Sequence, residues 1–450
     1  MMDAHPGLNF RWEWEPGDGV RAAEHQVTWA RLEIWVGSDC LTLVEDRETQ
    51  SSRRSIYCSM YPLAEWIAYN WWFLRADARP IPEFTRPRTN LSIVGPQSNE
   101  RGRLNRHGLQ SAGDGFAWPY LLIMPQGKST RLLWRRDQAV SPGRPVRFLS
   151  QGEAVLDNQE VEQTLASLVE AVLTRLREQG VTDTFLEKEW SEVLRIEKDE
   201  EEKEFCLAAA RLGLDPFSEA SEVESEILRA AEELSGDVFG DFLDAVSPQN
   251  IGTGLHWISR AKRLIHKSAS QASPTISELR RETRRGNEAR GSRPWEVGWR
   301  QASEVRSLLS TAPEEIFLID DLVDSKIRTV EDRGLQAIGS TPSEATPVVV
   351  LGRQQSTRTS RFTLTRALWH MLYEDDPLFL VTGAYTDRQK MERAFAAELL
   401  APAKGIAERL GGTPDVVLLE DLEEVAQYFR VSPMVVEHQV ENQLSASIIG

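Results

Sequence analysis

Two hydrophobic periods are legible in this chain, and one change from strand to helix period is sharp. Near the start, Thr28, Ala30, Leu32, Ile34 and Val36 alternate with Trp29, Arg31, Glu33 and Trp35, which is the two-residue period of a half-buried strand. Gly37-Ser38-Asp39 then predicts a turn into Cys40–Val44, giving a hairpin. From Asp157 the period changes. Val161, Leu165, Leu168, Val169, Val172 and Leu176 lie on one helical face, and Asp157 with Glu160 three residues on reads as a capping box. Strands early and helices later predict an α+β chain of several domains. At 450 residues, about two or three domains are expected.

The first 150 residues read as a tryptophan-rich mixed α/β domain. Trp12, Trp14, Trp29, Trp35, Trp66, Trp71 and Trp72, half of the chain's 14 tryptophans, precede residue 73. Leu63, Trp66, Ile67, Trp71 and Leu74 keep helical spacing after Pro62, and the cluster reads as core rather than as a ligand platform. Residues 84–115 read as loops. Strands are expected near Tyr120–Met124 and Arg131–Trp134, joined by the turn Pro125–Lys128. A helical region over 151–266 follows, whose acidic run reads as a solvated face. His256 and His266 within it have no metal-like partner four residues on.

Residues 267–294 are polar and read as a linker. They carry Arg280, Arg281, Arg284, Arg285, Arg290 and Arg293, interleaved with three glutamates. This is the one stretch whose charge points to nucleic acid. The whole chain opposes that, with 52 basic against 69 acidic side chains and a net charge of -17. Three cysteines without a C-x-x-C pair exclude a thiolate zinc finger and suit a reducing compartment. No apolar run nears the roughly 18 residues of a spanning helix, and no secretory signal is read at the N-terminus. A soluble cytoplasmic protein without membrane association is expected. Phosphate-loop, dinucleotide and nucleophile-elbow motifs are missing. Asp320, Asp321 and Asp324 read as a solvated helix start.

The chemistry question lies in 347–444. A buried strand, PVVVLG, and a polar turn lead into Phe362-Thr363-Leu364-Thr365, continued by Arg366-Ala367-Leu368-Trp369-His370. A second helix carries Phe395-Ala396-Ala397-Glu398-Leu399-Leu400-Ala401-Pro402, and a helix pair turns at Val431-Ser432. Asp421 with Glu424 predicts a capping box at the start of that pair. Its second helix offers Glu437 and Glu441 but no Lys or Arg, so a domain-completing role is expected rather than DNA reading.

These motifs, with the helix Arg300–Leu309 before them, resemble the peptidase-like domain of the ImmA/IrrE family over about the last third of the chain. The resemblance implies a mostly helical, zincin-like domain over 295–450. Intact members carry HExxH, two imidazoles for zinc with a glutamate base between them, and take an acidic third ligand from the second helix. Here Arg366 stands at the first ligand position, Ala367 at the base position, and only His370 remains. Glu392 and Asp387 are the candidates for the third ligand.

One imidazole and one carboxylate fall short of the three protein ligands of a catalytic zinc site. The expected site is therefore not catalytic. Arg366, His370, Glu392, Asp387 and Glu374 are expected to form a cleft in which Arg366 pairs with one of these carboxylates or meets a ligand or partner. The function expected is that of a bacterial regulatory protein, in stress or phage response. Its peptidase-like domain is inactive, needs no cofactor and recognises a protein partner. Two alternatives are kept: an atypical zinc metallopeptidase using His370, Glu392 and a residue such as His438 or His107, and a nucleic-acid-associated regulator acting through Arg280, Arg281, Arg284 and Arg285.

Overall fold

The computed structural model describes residues 7–46, 49–81, 98–137, 146–268, 274–284, 293–330, 332–340, 347–413 and 415–449. The chain is mixed α/β with several small sheets, and it divides into two compact units between Ser221 and Glu222. The helical stretch beginning near 151 is split by that boundary.

In the first unit the alternating segment forms the strand Trp29–Val36, pairing antiparallel with Leu8–Trp14 in the register Leu8↔Val36 to Trp14↔Ala30. Its even positions, Ala30, Leu32, Ile34 and Val36, are buried. The expected hairpin partner is shorter than its sequence suggests, since only Asp39–Cys40 pairs with this strand. Thr42 ends the pairing: its hydroxyl accepts from the Ile34 amide and donates to the Arg54 carbonyl. Val44 then enters another small sheet, with Ser51–Arg53 and Val146–Phe148. Strands Tyr120–Pro125, Ser129–Arg135 and Gly152–Asp157 form an antiparallel sheet. Trp66, Trp71 and Trp72 are buried, whereas Trp12, Trp14, Trp29 and Trp35 are half-buried.

Helix Asn158–Glu178 starts where Asp157 predicts, its carboxylate accepting from the Gln159 and Glu160 amides, and it buries Val161, Leu165, Leu168, Val169, Val172 and Leu176. One expectation fails in this unit. Ser98–His107, read as loop, is a helix. It has no apolar stripe to announce it, and is held by long-range polar ties such as Arg106 to the Gly213 carbonyl. Residues 82–97 lie outside the described residues.

The second unit begins with helices α1 (Glu224–Glu233), α2 (Gly236–Ala245), α3 (Ile251–Ser268), α4 (Pro274–Thr283) and α5 (Pro294–Leu308). Strands β1 (Asp324–Ile327), β2 (Leu335–Ser340) and β3 (Val348–Leu351) lead to α6 (Thr357–Tyr373). Strand β4 (Leu378–Thr382), α7 (Asp387–Leu400) and α8 (Ala403–Arg409) follow. The chain closes with β5 (Val416–Leu418), α9 (Leu419–Phe429), α10 (Pro433–Gln439) and β6 (Ser447–Ile449). The main sheet runs β1-β3-β2-β4, with β1 parallel to β3 and the other neighbours antiparallel.

Helix α6 is capped by Ser356, whose hydroxyl accepts from the Thr359 amide. Helices α5 and α7 approach closely at Gly298, where any Cβ would fall 2.4 Å from the Met391 carbonyl oxygen. The capping box expected at Asp421 is not used. Helix α9 starts three residues earlier, directly from β5 with Leu418 at its N-cap, so Asp421 already lies in the first turn.

The linker reading of 267–294 does not hold for 274–283. Ile276 and Leu279, three residues apart, are buried in the core of the second unit and make α4 part of it. Two apolar side chains suffice because the arginines find carbonyls. Arg280 donates to the carbonyls of Met371 and Glu374, and Arg284 donates to that of Glu374. They meet the C-terminal end of α6, where unpaired carbonyls and the helix dipole favour cations.

Candidate functional site

Helices α6 and α7 each contribute residues four apart, and these face one another. From α6 come Arg366 and His370, with Glu374 at its extended C-cap; from α7 come Arg388 and Glu392. Four-residue spacing places each set on one helix face. The two faces interlock by charge, in the order Arg366, Glu392, His370, Arg388, Glu374.

Glu392 is the centre. Its Oε1 accepts from Arg366 Nε at 3.1 Å and also from Nη2 of the same guanidinium. Its Oε2 lies 2.6 Å from His370 Nε2. Arg366 also donates to the Gln336 side-chain oxygen on β2 and to the Thr382 carbonyl on β4. Arg388 brings only donors to His370 Nδ1, at 3.4 Å, so the ring proton sits on Nε2 and is donated to Glu392. The imidazole stacks on Phe379, with ring centroids 4.9 Å apart and planes 3° apart.

Arg366 is 3% exposed, and His370 and Glu392 are not exposed at all. Burial by itself would raise the Glu392 carboxyl above its ordinary range. The Arg366 guanidinium, with the hydrogen-bonded His370 beside it, overcomes that and holds it below. Arg388 continues the chain outward, 3.2 Å from Glu374, 3.1 Å from Asp241 and 3.3 Å from Asp237. Asp241 on α2 also accepts from Gln389 at 2.6 Å. Burial pushes the Asp241 carboxyl up to about 7 despite Arg388. The neighbouring Arg393 guanidinium is pushed down to about 10 by burial and by Arg366, and donates to the Thr382 and Ala384 carbonyls.

Of the expected cleft residues, Arg366, His370 and Glu392 come together, and Glu374 joins through Arg388. Asp387 pairs instead with Lys390 at 3.7 Å. Ala367 is fully buried among apolar side chains. The three central residues lie in the interior, so they do not present a surface to a partner. His438 is exposed on α10, and His107 lies in the first unit with Nδ1 bonded to the Ile123 carbonyl. Arg280 and Arg284 are engaged at the end of α6, Arg281 pairs with Glu278 and Glu282, and Arg285 lies outside the described residues. Asp324 is exposed and pairs with Lys326, and Asp320 and Asp321 are exposed.

The donor set does not fit zinc. The imidazole Nε2 and the carboxylate are bonded to each other, and the third group on them is a guanidinium without a lone pair. Among the described residues no group of three or more His, Cys, Asp or Glu side chains is placed to hold a metal ion. The glutamate of the FAAELL run is also tied up: Glu398 accepts from the Gln439 and Gln443 side chains, both at 2.7 Å, which fastens α7 to the closing helices.

Sequence reasoning missed Arg388, Gln336 and Asp241. The four-residue step from Arg388 to Glu392 was a readable signal; the approach of Asp241, 148 residues from Gln389, was not.

Residues 325–441 match the family of IrrE N-terminal-like domains, peptidase M78. The match places this part of the second unit in a peptidase-type family and covers the main sheet from Ser325 through α10. No curated protein matches the chain at significant similarity. Among the described residues no helix is long and apolar enough to cross a membrane.

Proposed function

We propose that this is a cytoplasmic regulatory protein, of stress or phage response, whose peptidase-type unit does not hydrolyse peptides and serves protein recognition. One observation carries the reading. Arg366 and His370 both close on Glu392 in the interior, so the residues aligned with a metal clamp are a complete, charge-balanced ion cluster. Such a cluster joins two helices as a metal would, without leaving a coordination position for water. The base position, Ala367, offers nothing that accepts a proton. Recognition then falls to the surface of the unit rather than to the buried motif.

Metal analysis of the purified full chain tests this. Substoichiometric zinc is expected, with no change in thermal midpoint and no peptide hydrolysis when zinc is added. One tightly held zinc per chain, lost in His370→Ala and accompanied by cleavage, would overturn the reading in favour of an atypical metallopeptidase.

A further inference from the structure

The closing segment of the second unit carries a sheet of unusual kind. Strands β5 and β6 pair in parallel, in the register Val416↔Ser447, Val417↔Ile448 and Leu418↔Ile449, and no third strand joins them among the described residues. Parallel pairing is ordinarily found with both faces covered, and a two-stranded sheet is marginal alone. Here one face is covered: Val417 is buried and Ile448 packs on the core. The other face shows Val416, Leu418 and Ile449, with Leu419 next in the chain, each between 48% and 53% exposed. Among the described residues the outer edge of β5 is unpaired, which makes it a template for another strand.

Charge selects what can lie there. From Asp415 to Phe429 the chain contains Asp415, Glu420, Asp421, Glu423 and Glu424 and no Lys or Arg. These five carboxylates are exposed, and none has an ion-pair partner among the described residues. They flank β5 on both sides. A second copy of this chain would bring five like charges against five, and an anionic lipid surface would be repelled in the same way.

We infer that the β5 edge binds an extended segment of a protein partner that alternates apolar and basic residues. The segment adds as a third strand, with its apolar side chains over Val416, Leu418 and Ile449 and its Lys or Arg side chains toward the carboxylates. This deepens the proposed function and rests on its claim that the unit works by recognition.

The test uses the full chain and a fluorescent peptide alternating valine and lysine, with a valine–glutamate peptide as control. Binding of the lysine peptide, weakening with salt, is expected. Val416→Ser/Leu418→Ser and, separately, Glu420→Lys/Asp421→Lys should each weaken it about ten-fold or more. All four positions are exposed, and an unchanged circular dichroism spectrum checks the fold. Equal binding of both peptides, no binding of either, or indifference to both double substitutions overturns the inference. Zinc content and peptide integrity in the same samples separate the two claims. A zinc-free, intact chain that ignores the peptide defeats the edge alone, whereas a zinc-loaded chain that cleaves it defeats the non-hydrolytic reading.

Discussion

Each unit of this chain buries a carboxylate between an arginine and a histidine, and the two arrangements differ in where the arginine comes from and how deeply it is buried. In the first unit Asp77 sits just past helix Trp71–Ala76, 2.9 Å from Arg79 only two residues on and 3.4 Å from His107. In the second, Glu392 gathers Arg366 and His370 from a helix more than twenty residues away, with the imidazole at 2.6 Å. The first cluster ties the end of helix Trp71–Ala76 to the end of helix Ser98–His107. The second lies within the residues that match the IrrE N-terminal-like family, yet it brings together the same three kinds of side chain. The comparison teaches that a histidine, a carboxylate and an arginine in contact are first of all a clamp. In the second cluster the three side chains are buried and bonded to one another.

The largest expected effect sets the two clamps against each other. Glu392→Ala strands a buried guanidinium and imidazole and should cost about 3–5 kcal/mol in urea denaturation. Asp77→Ala should cost less, about 1–3 kcal/mol, because the Arg79 side chain keeps 18% of its exposure and can rehydrate. Equal losses would break the distinction between a buried and a partly exposed arginine partner.

Asp241 sharpens it through pH. Its carboxyl is raised by burial from 3.8 to about 7. A raised folded pKa means stability that is full below the unfolded value and is lost as pH climbs through about 7, amounting to roughly 2–4 kcal/mol over that span. Asp241→Asn should therefore flatten the fall of stability between about pH 4 and 7. An unchanged slope would remove Asp241 from the account.

Glu392 and Asp77 work in the opposite sense. Both are held below the ordinary carboxylate range, against burial, by their cationic partners. Their contributions are present above that range and lost as pH falls below it, so both units should weaken in acid. The Glu392→Gln chain should lose part of this acid sensitivity in the second unit only, read from fluorescence of unit-specific tryptophans such as Trp369 and Trp66. The smallest effects concern the arginine segment. Arg280→Ala uncaps two carbonyls and should cost about 1–2 kcal/mol, whereas exposed Arg281→Ala should stay within about 0.5 kcal/mol. Matching losses would mean that Arg280 does not support the end of α6.

Legibility followed the range of the forces involved. Helix Asn158–Glu178 was readable because its cap and its stripe are both local. Helix Ser98–His107 was not, since its support comes from carbonyls elsewhere in the chain, that of Gly213 over a hundred residues away. Helix α4 shows the intermediate case. Ile276 and Leu279 are a faint apolar pair in a polar stretch, and only the carbonyls at the end of α6 make their arginine neighbours part of a core.

The amino-acid sequence by itself determined the strand and helix periods and the four-residue steps that put Arg366 with His370 on one helical face and Arg388 with Glu392 on another. These depend only on backbone geometry, which repeats wherever the helix forms. Tertiary structure alone decided that the two faces meet, that Glu392 rather than Asp387 receives Arg366, and that Asp241 arrives from α2. Those outcomes rest on Coulomb and desolvation energies between groups far apart in the chain, and such energies exist only once packing has excluded water and set the distances.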